Sequence, residues 1–210
     1  MNGTSAARLC GVVALAALVG CHDTGAVRDN RGPSVYPVVP AGRVRSPALT
    51  PGSTVVVAVA PDLVVTFADS QEIVWKIQLP REESLVAAPG VAANSTTYLL
   101  TNKNLRLIDA AGETRFVRAV PFDRRGSDPS RWGLVVLPDS SVVVSDGRHR
   151  ACRLDRLGAI TWRYALPAGA GMVARPVAGP NGSVYLRTAS SLHAVGGDGR
   201  LRWRVSLRGF

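Results

Sequence analysis

From Leu201 to Leu207 apolar and polar residues alternate: Leu201, Trp203, Val205 and Leu207 fall on one side, Arg202, Arg204 and Ser206 on the other. Period-two alternation with one apolar face predicts a half-buried β-strand. Upstream, Val184-Tyr185-Leu186 and Leu192 to Val195 form two short β-rich runs separated by the turn Ala189-Ser190-Ser191. Gly196-Gly197-Asp198-Gly199 supplies a tight turn before the alternating run, because glycine accepts positive φ without a steric penalty. Met172 to Ala178 reads as the first strand of the set, closed by the turn Gly179-Pro180-Asn181-Gly182. Residues 172–207 therefore predict four strands in a row.

The pattern recurs upstream. Leu105 to Gly112 leads into Glu113-Thr114-Arg115-Phe116, and Ala151 to Gly158 leads into Ala159-Ile160-Thr161-Trp162. Leu63 to Ala68 and Glu72 to Leu79 keep the strands of a more degenerate first copy, with Gln71 where glycine is expected. Trp75, Phe116, Trp162 and Trp203 are thus spaced by 41, 46 and 41 residues, and Gly112, Gly158 and Gly199 stand four residues before the last three. Self-similarity at this period predicts an all-β chain: a β-propeller of four-stranded antiparallel blades, about four of them, near 53–80, 85–119, 132–166 and 172–207. These four aromatics and three glycines read as blade packing, where burying each large ring contributes about 1.5–3 kcal/mol.

Four blades leave three readings open: an open arc, a four-blade ring, or part of a longer array. An open arc exposes sheet faces and edges, which invites self-association, for example of two arcs into one ring. The longer middle spacing places five extra residues in Pro121 to Arg131. Arg124, Arg125 and Arg131 in that loop are the expected partner contacts, with a tolerated surface insertion as the alternative.

The phrases Leu192-His193-Ala194-Val195-Gly196-Gly197-Asp198-Gly199-Arg200-Leu201-Arg202-Trp203 and Leu107-Ile108-Asp109-Ala110-Ala111-Gly112-Glu113-Thr114-Arg115-Phe116 resemble the pyrroloquinoline-quinone-type (PQQ-like) propeller repeat. The likeness covers about Thr54 to Leu207. Asp109 and Asp155 keep the repeat's aspartate, which Gly196 and Ala68 replace in the other two copies. The aspartate-to-glycine gap is one residue shorter than in the quinoprotein dehydrogenases. The resemblance therefore implies the non-enzymatic, BamB-like branch, whose members are lipoproteins of outer-membrane assembly.

The chain begins with Arg8 as its first charged side chain, then the apolar run Leu9 to Gly20, then Leu18-Val19-Gly20-Cys21 as a small-residue junction. The run has the size of a signal-peptide core and is too short to span a bilayer. The junction resembles a bacterial lipobox, which implies a signal peptide at 1–20, cleavage before Cys21 and lipidation of Cys21; a plain secretory signal is the alternative. Residues 21–52 hold Pro33, Pro37, Pro40, Pro47 and Pro51 and read as a disordered tether between the lipidated cysteine and the blades at 53–210. Val35 to Val39 is a possible edge strand within it. With Cys10 in the signal peptide and Cys21 lipidated, only Cys152 remains, so the mature chain has no intramolecular disulfide; Cys152 is expected in the core.

Charge divides along the chain: residues 21–114 carry eight basic and nine acidic side chains, residues 115–210 sixteen arginines and six aspartates. Such a basic half fits anionic lipid heads, lipopolysaccharide or an acidic protein; arginine-rich coding usage is the other reading. Export, together with the lack of an aromatic-interleaved basic motif, argues against nucleic acid. His22, His149 and His193 are scattered, no cysteine or histidine pair has metal spacing, and no serine lies in a Gly-x-Ser-x-Gly elbow. Asp109, Asp155, Asn94-Ser95-Thr96 and Asn181-Gly182-Ser183 read as turns. No catalytic residue, metal or cofactor is expected. The expectation is a lipid-anchored, periplasm-facing envelope protein, on the outer membrane because His22 and not aspartate follows Cys21, that binds envelope proteins. The rivals are a quinone-dependent dehydrogenase or its degenerate relative, and a ligand-binding sensor.

Overall fold

The computed structural model describes residues 47–207 except 53, 61, 62, 69, 71 and 123–130. The expected signal peptide, Cys21, the run Val35 to Val39, Gln71, Arg124 and Arg125 lie outside the described residues.

Strands β1 (Ala48–Leu49), β2 (Val55–Ala60), β3 (Leu63–Phe67) and β4 (Ile73–Gln78) form the first of four sheets. The second contains β5 (Gly90–Val91), β6 (Thr97–Leu100), β7 (Asn104–Ile108) and β8 (Thr114–Ala119). The third contains β9 (Gly133–Val136), β10 (Val142–Ser145), β11 (Arg150–Leu154) and β12 (Ile160–Ala165). The fourth contains β13 (Val177–Ala178), β14 (Val184–Arg187), β15 (Ser191–Val195) and β16 (Leu201–Ser206). Every sheet is an antiparallel meander in chain order, which is the four-bladed propeller architecture read from the repeat. The first strands lie side by side: β1 packs on β5, β5 on β9 and β9 on β13. Glycine permits this approach, since a Cβ on Gly133 would meet Ser145 Oγ at 2.9 Å and run into Pro176 of the next sheet.

Two details correct the sequence reading. β1 lies inside 21–52, the stretch read as tether. Ala48 and Leu49 pair with Val56 and Val55 across the Thr50–Thr54 turn, and the proline and glycine of a hairpin turn are the same composition that marks a linker. At the other end, β13 is two residues long where 172–178 reads as a strand. Met172 makes only an isolated bridge to Thr188, and Pro176 has no N–H to extend the ladder.

The last hairpin of each sheet is built alike. A register shift falls at Thr66/Phe67, Leu107/Ile108, Arg153/Leu154 and Ala194/Val195, just before the turn. In three of these turns the fourth residue is a left-handed glycine: Gly112 at φ +86°, Gly158 at +80° and Gly199 at +80°. Its N–H closes the turn onto the carbonyl of Asp109, Asp155 or Gly196. This is a turn followed by a glycine bulge, which lets a short loop match the strand twist. The carboxylates of Asp109 and Asp155 each accept two backbone N–H groups of their own turn, so the repeat's aspartate is a loop-forming residue.

The core lies in three seams between successive sheets. The first seam buries Val56, Val64, Leu99 and Ile108, with Trp75 and Ile77 against them. The second buries Tyr98, Leu107, Val142, Val144 and Cys152, with Phe116 alongside. The third buries Val143, Trp162, Val184, Leu186 and Val195. Trp132, outside the repeat phrase, is fully buried in the second seam, with its ring edge-on to Phe122 at 5.9 Å.

Candidate interaction surface

Strand register places one residue from each strand of a sheet in a row across its face. The rows that contain the repeat aromatics are Ala48–Val56–Thr66–Trp75, Gly90–Tyr98–Leu107–Phe116, Val135–Val143–Arg153–Trp162 and Val177–Tyr185–Ala194–Trp203. In the first three sheets the next sheet covers this row. Trp75 lies against Gly112, Phe116 against Gly158 and Trp162 against Gly199. A Cβ on Gly112 or Gly199 would come within 2.6 Å of the tryptophan Cβ, so the glycine answers a contact as well as a backbone angle. Each turn glycine thus receives the ring of the preceding repeat, not of its own.

Polar contacts lock the same seams. The Tyr98 hydroxyl donates to the Ser140 carbonyl of the third sheet, and burial pushes this phenol up to about 12. Arg153 reaches from β11 to donate to the Gly197 carbonyl of the fourth sheet at 2.8 Å and also pairs with Asp139. In the third seam His193 is 1% exposed, with Nδ1 3.0 Å from the Tyr164 hydroxyl and Nε2 2.9 Å from Ser191 Oγ. Burial, and then the Arg204 charge, hold this imidazole below its ordinary pKa. Between the first two sheets, Glu83 is buried and receives Arg106 through two nitrogens, together with Thr101 and Asn104. Burial acts to raise the Glu83 pKa, but these donors outweigh it and hold the carboxyl below its usual range.

The fourth row has no covering sheet among the described residues. Trp203 is 43% exposed among the described residues, against 8% for Trp162. All of β16 is exposed, Val177 is 59% and Val205 47% accessible, and Tyr185 stacks beside Trp203 with ring centroids 5.8 Å apart. Of the exposed arginines on the strands of this sheet, Arg187 shares the open face through the row Arg187–Leu192–Val205, while Arg202 and Arg204 fall on the other side of β16. An apolar patch with a charged fringe is the composition of a protein-binding surface.

The other groups with chemical potential are held in the fold. Cys152 is buried and its thiol is pushed up to about 12, chiefly by burial. Arg131 is exposed, while its backbone packs on Gly147. An open groove of 310 Å³ is lined by Asp139, Ser141, Arg153, Asp155, Arg156 and Thr161, and Arg153 already pairs with Asp139 there. Among the described residues no group of three His, Cys, Asp or Glu side chains could hold a metal ion. The rings of Trp75, Phe116 and Trp162 are covered by glycine turns in the seams. Trp132 and the His193 cluster are absent from the sequence reading. Trp132 has no counterpart in the other repeats, and burial of His193 depends on which sheet packs against it.

No protein-family model and no curated protein matches the chain. Solved structures do match. A streptogramin B lyase superposes with TM-score 0.63 at 13% identity, covering 79% of this chain and 55% of the lyase. BamB from Moraxella catarrhalis superposes with TM-score 0.61 at 20% identity, covering 76% of this chain and 47% of BamB. The dihydro-heme d1 dehydrogenase NirN superposes with TM-score 0.58 at 16% identity, covering 80% and 38%. The chain spans about half the length of the first two. These likenesses show the fold, a BamB-like propeller array, which enzymes and non-enzymes share.

Proposed function

We propose that this chain is a cell-envelope lipoprotein, anchored through Cys21 and facing the periplasm at the outer membrane, whose propeller is a non-enzymatic scaffold for protein interaction in envelope assembly. The observation that carries this reading is the face of the last sheet that no described residue covers, where Val177, Trp203 and Val205 stand open beside exposed Arg187. The structural engagement of His193, Cys152, Asp109 and Asp155 supports a scaffold over a catalyst. Several acyl chains on one cysteine would give stable anchoring.

Labelled palmitate supplied to a Gram-negative host expressing the chain should enter the wild type and not Cys21→Ser, with the label recovered in the outer-membrane fraction. Absence of label in the wild type would overturn the lipoprotein reading. Dye reduction after adding pyrroloquinoline quinone and calcium to the purified chain would overturn the scaffold in favour of a quinoprotein.

A further inference from the structure

Each sheet is a meander and so has two ends. One end holds the turns after its first and third strands; the other holds the loop between its middle strands and the connection to the neighbouring sheet. Charge divides unequally between these ends. At the first, carboxylates and arginines are matched: Asp109 pairs with Arg115 and Asp139 with Arg153, while Asp155 and Asp198 stand within two residues of Arg156 and Arg200. At the second end of the third and fourth sheets, Arg131, Arg148, Arg150 and Arg175 are exposed. The one carboxylate there among the described residues is Asp146. It is buried, and its Oδ1 accepts the N–H groups of Arg148, His149 and Arg150. No described carboxylate pairs with Arg131, Arg150 or Arg175.

The segments that carry these arginines meet. Gly147 packs on the backbone of Arg131, the Arg148 carbonyl accepts the Met172 N–H, and a Cβ on Gly133 would lie 3.3 Å from Arg175 Cα. Three stretches far apart in sequence therefore form one basic patch across two sheets. The same end of the second sheet is neutralised instead, with Glu82 on Lys103 and Glu83 on Arg106.

Two observations choose the occupant. Of the large apolar side chains that stand exposed, only Val173 lies in the loops of this end, so the patch lacks the buried anchor around which a protein interface is built. In addition, β1 begins at this end, because it runs antiparallel to β2 and β2 leads into the loop between the middle strands. Residues 22–47 thus join Cys21 to the propeller on the arginine-bearing side.

We infer that the Arg131–Arg148–Arg150–Arg175 patch lies against the anionic head groups of the membrane that holds the anchor, and so sets which end of the propeller faces the bilayer. The choice of surface rests on the lipoprotein reading. Acyl chains hold the protein on the membrane, and the arginines orient it, with the Asp109 and Asp155 turns facing away.

The test is phenylglyoxal modification of the full lipidated chain in vesicles, read arginine by arginine by mass spectrometry. Vesicles of phosphatidylcholine are compared with vesicles holding about 30% phosphatidylglycerol. On the anionic vesicles Arg131, Arg150 and Arg175 should react at least about threefold more slowly, and high salt should remove the difference. Arg156 and Arg200 should react alike on both. The triple variant Arg131→Gln/Arg150→Gln/Arg175→Gln, changed only at exposed positions, should lose the protection of Arg148. Equal rates on the two vesicle types, or protection at Arg156 and Arg200 instead, would overturn the inference. Protection by polyglutamate but not by anionic vesicles would overturn it too, in favour of an acidic protein. If labelled palmitate does not enter the chain, the lipoprotein reading falls, and the same comparison with vesicles in excess decides the patch separately.

Discussion

A methyl group added at Gly112 or Gly199 has no room. Both residues are left-handed, and the new carbon would lie 2.6 Å from the Cβ of Trp75 or Trp162. Gly169 separates the two penalties, because it has the same left-handed φ of +80° but nothing within 4 Å of a Cβ. Gly169→Ala should cost about 1 kcal/mol, the backbone strain alone. Gly112→Ala and Gly199→Ala should cost about 2–4 kcal/mol, because overpacking adds to that strain. Urea midpoints at an unchanged slope would measure the difference, and equal losses at all three sites would contradict the seam contact. The glycines were legible in the sequence as turn residues. Their second task was not, because it depends on a ring about thirty-seven residues earlier that only the stacking of sheets brings near.

Pairs of strands from different sheets hold the third seam, and here titration enters. His193 on β15 faces Tyr164 on β12, Ser191 beside it on β15, and the Arg204 charge on β16. The folded chain disfavours protonation of this imidazole, while the unfolded chain takes up the proton near its ordinary value of about 6.5. Stability is therefore full above about pH 6.5 and falls as the pH drops below it, since the unfolded state then binds the extra proton. Urea midpoints between about pH 5 and 8 should show that fall in the wild type and a flatter profile in His193→Gln. An unchanged profile would mean that His193 titrates alike in both states. The alternation that identified β16 says nothing of this, because His193 belongs to the inner face only once the third sheet is in place.

At the scale of the molecule, the four repeat aromatics are unequal. Trp162 is closed in a seam and Trp203 is not, although both end the same phrase. Trp162→Ala should cost about 3–5 kcal/mol, as for a buried aromatic. Trp203→Ala should cost less than about 1.5 kcal/mol, since roughly half its surface never leaves water. Thermal or urea denaturation would rank them, and comparable losses would mean that Trp203 is covered within the chain. The same inequality makes the last sheet the place to look for a partner, while the expected arginine patch survives only as exposed Arg131, with Arg124 and Arg125 outside the described residues.

What the sequence determined by itself is local and periodic: the strands, the turns that Asp109, Asp155 and the glycines make, and the spacing that repeats the unit. Each follows from sterics and hydrogen bonding within a few residues of chain, so a single row of letters contains it. The tertiary structure decided which neighbour each residue meets. It paired each glycine with the preceding ring, drew β1 out of an apparent linker, buried Trp132 and His193, and left Trp203 uncovered. Burial is a property of the contact between two sheets, and one copy of the phrase does not contain that contact.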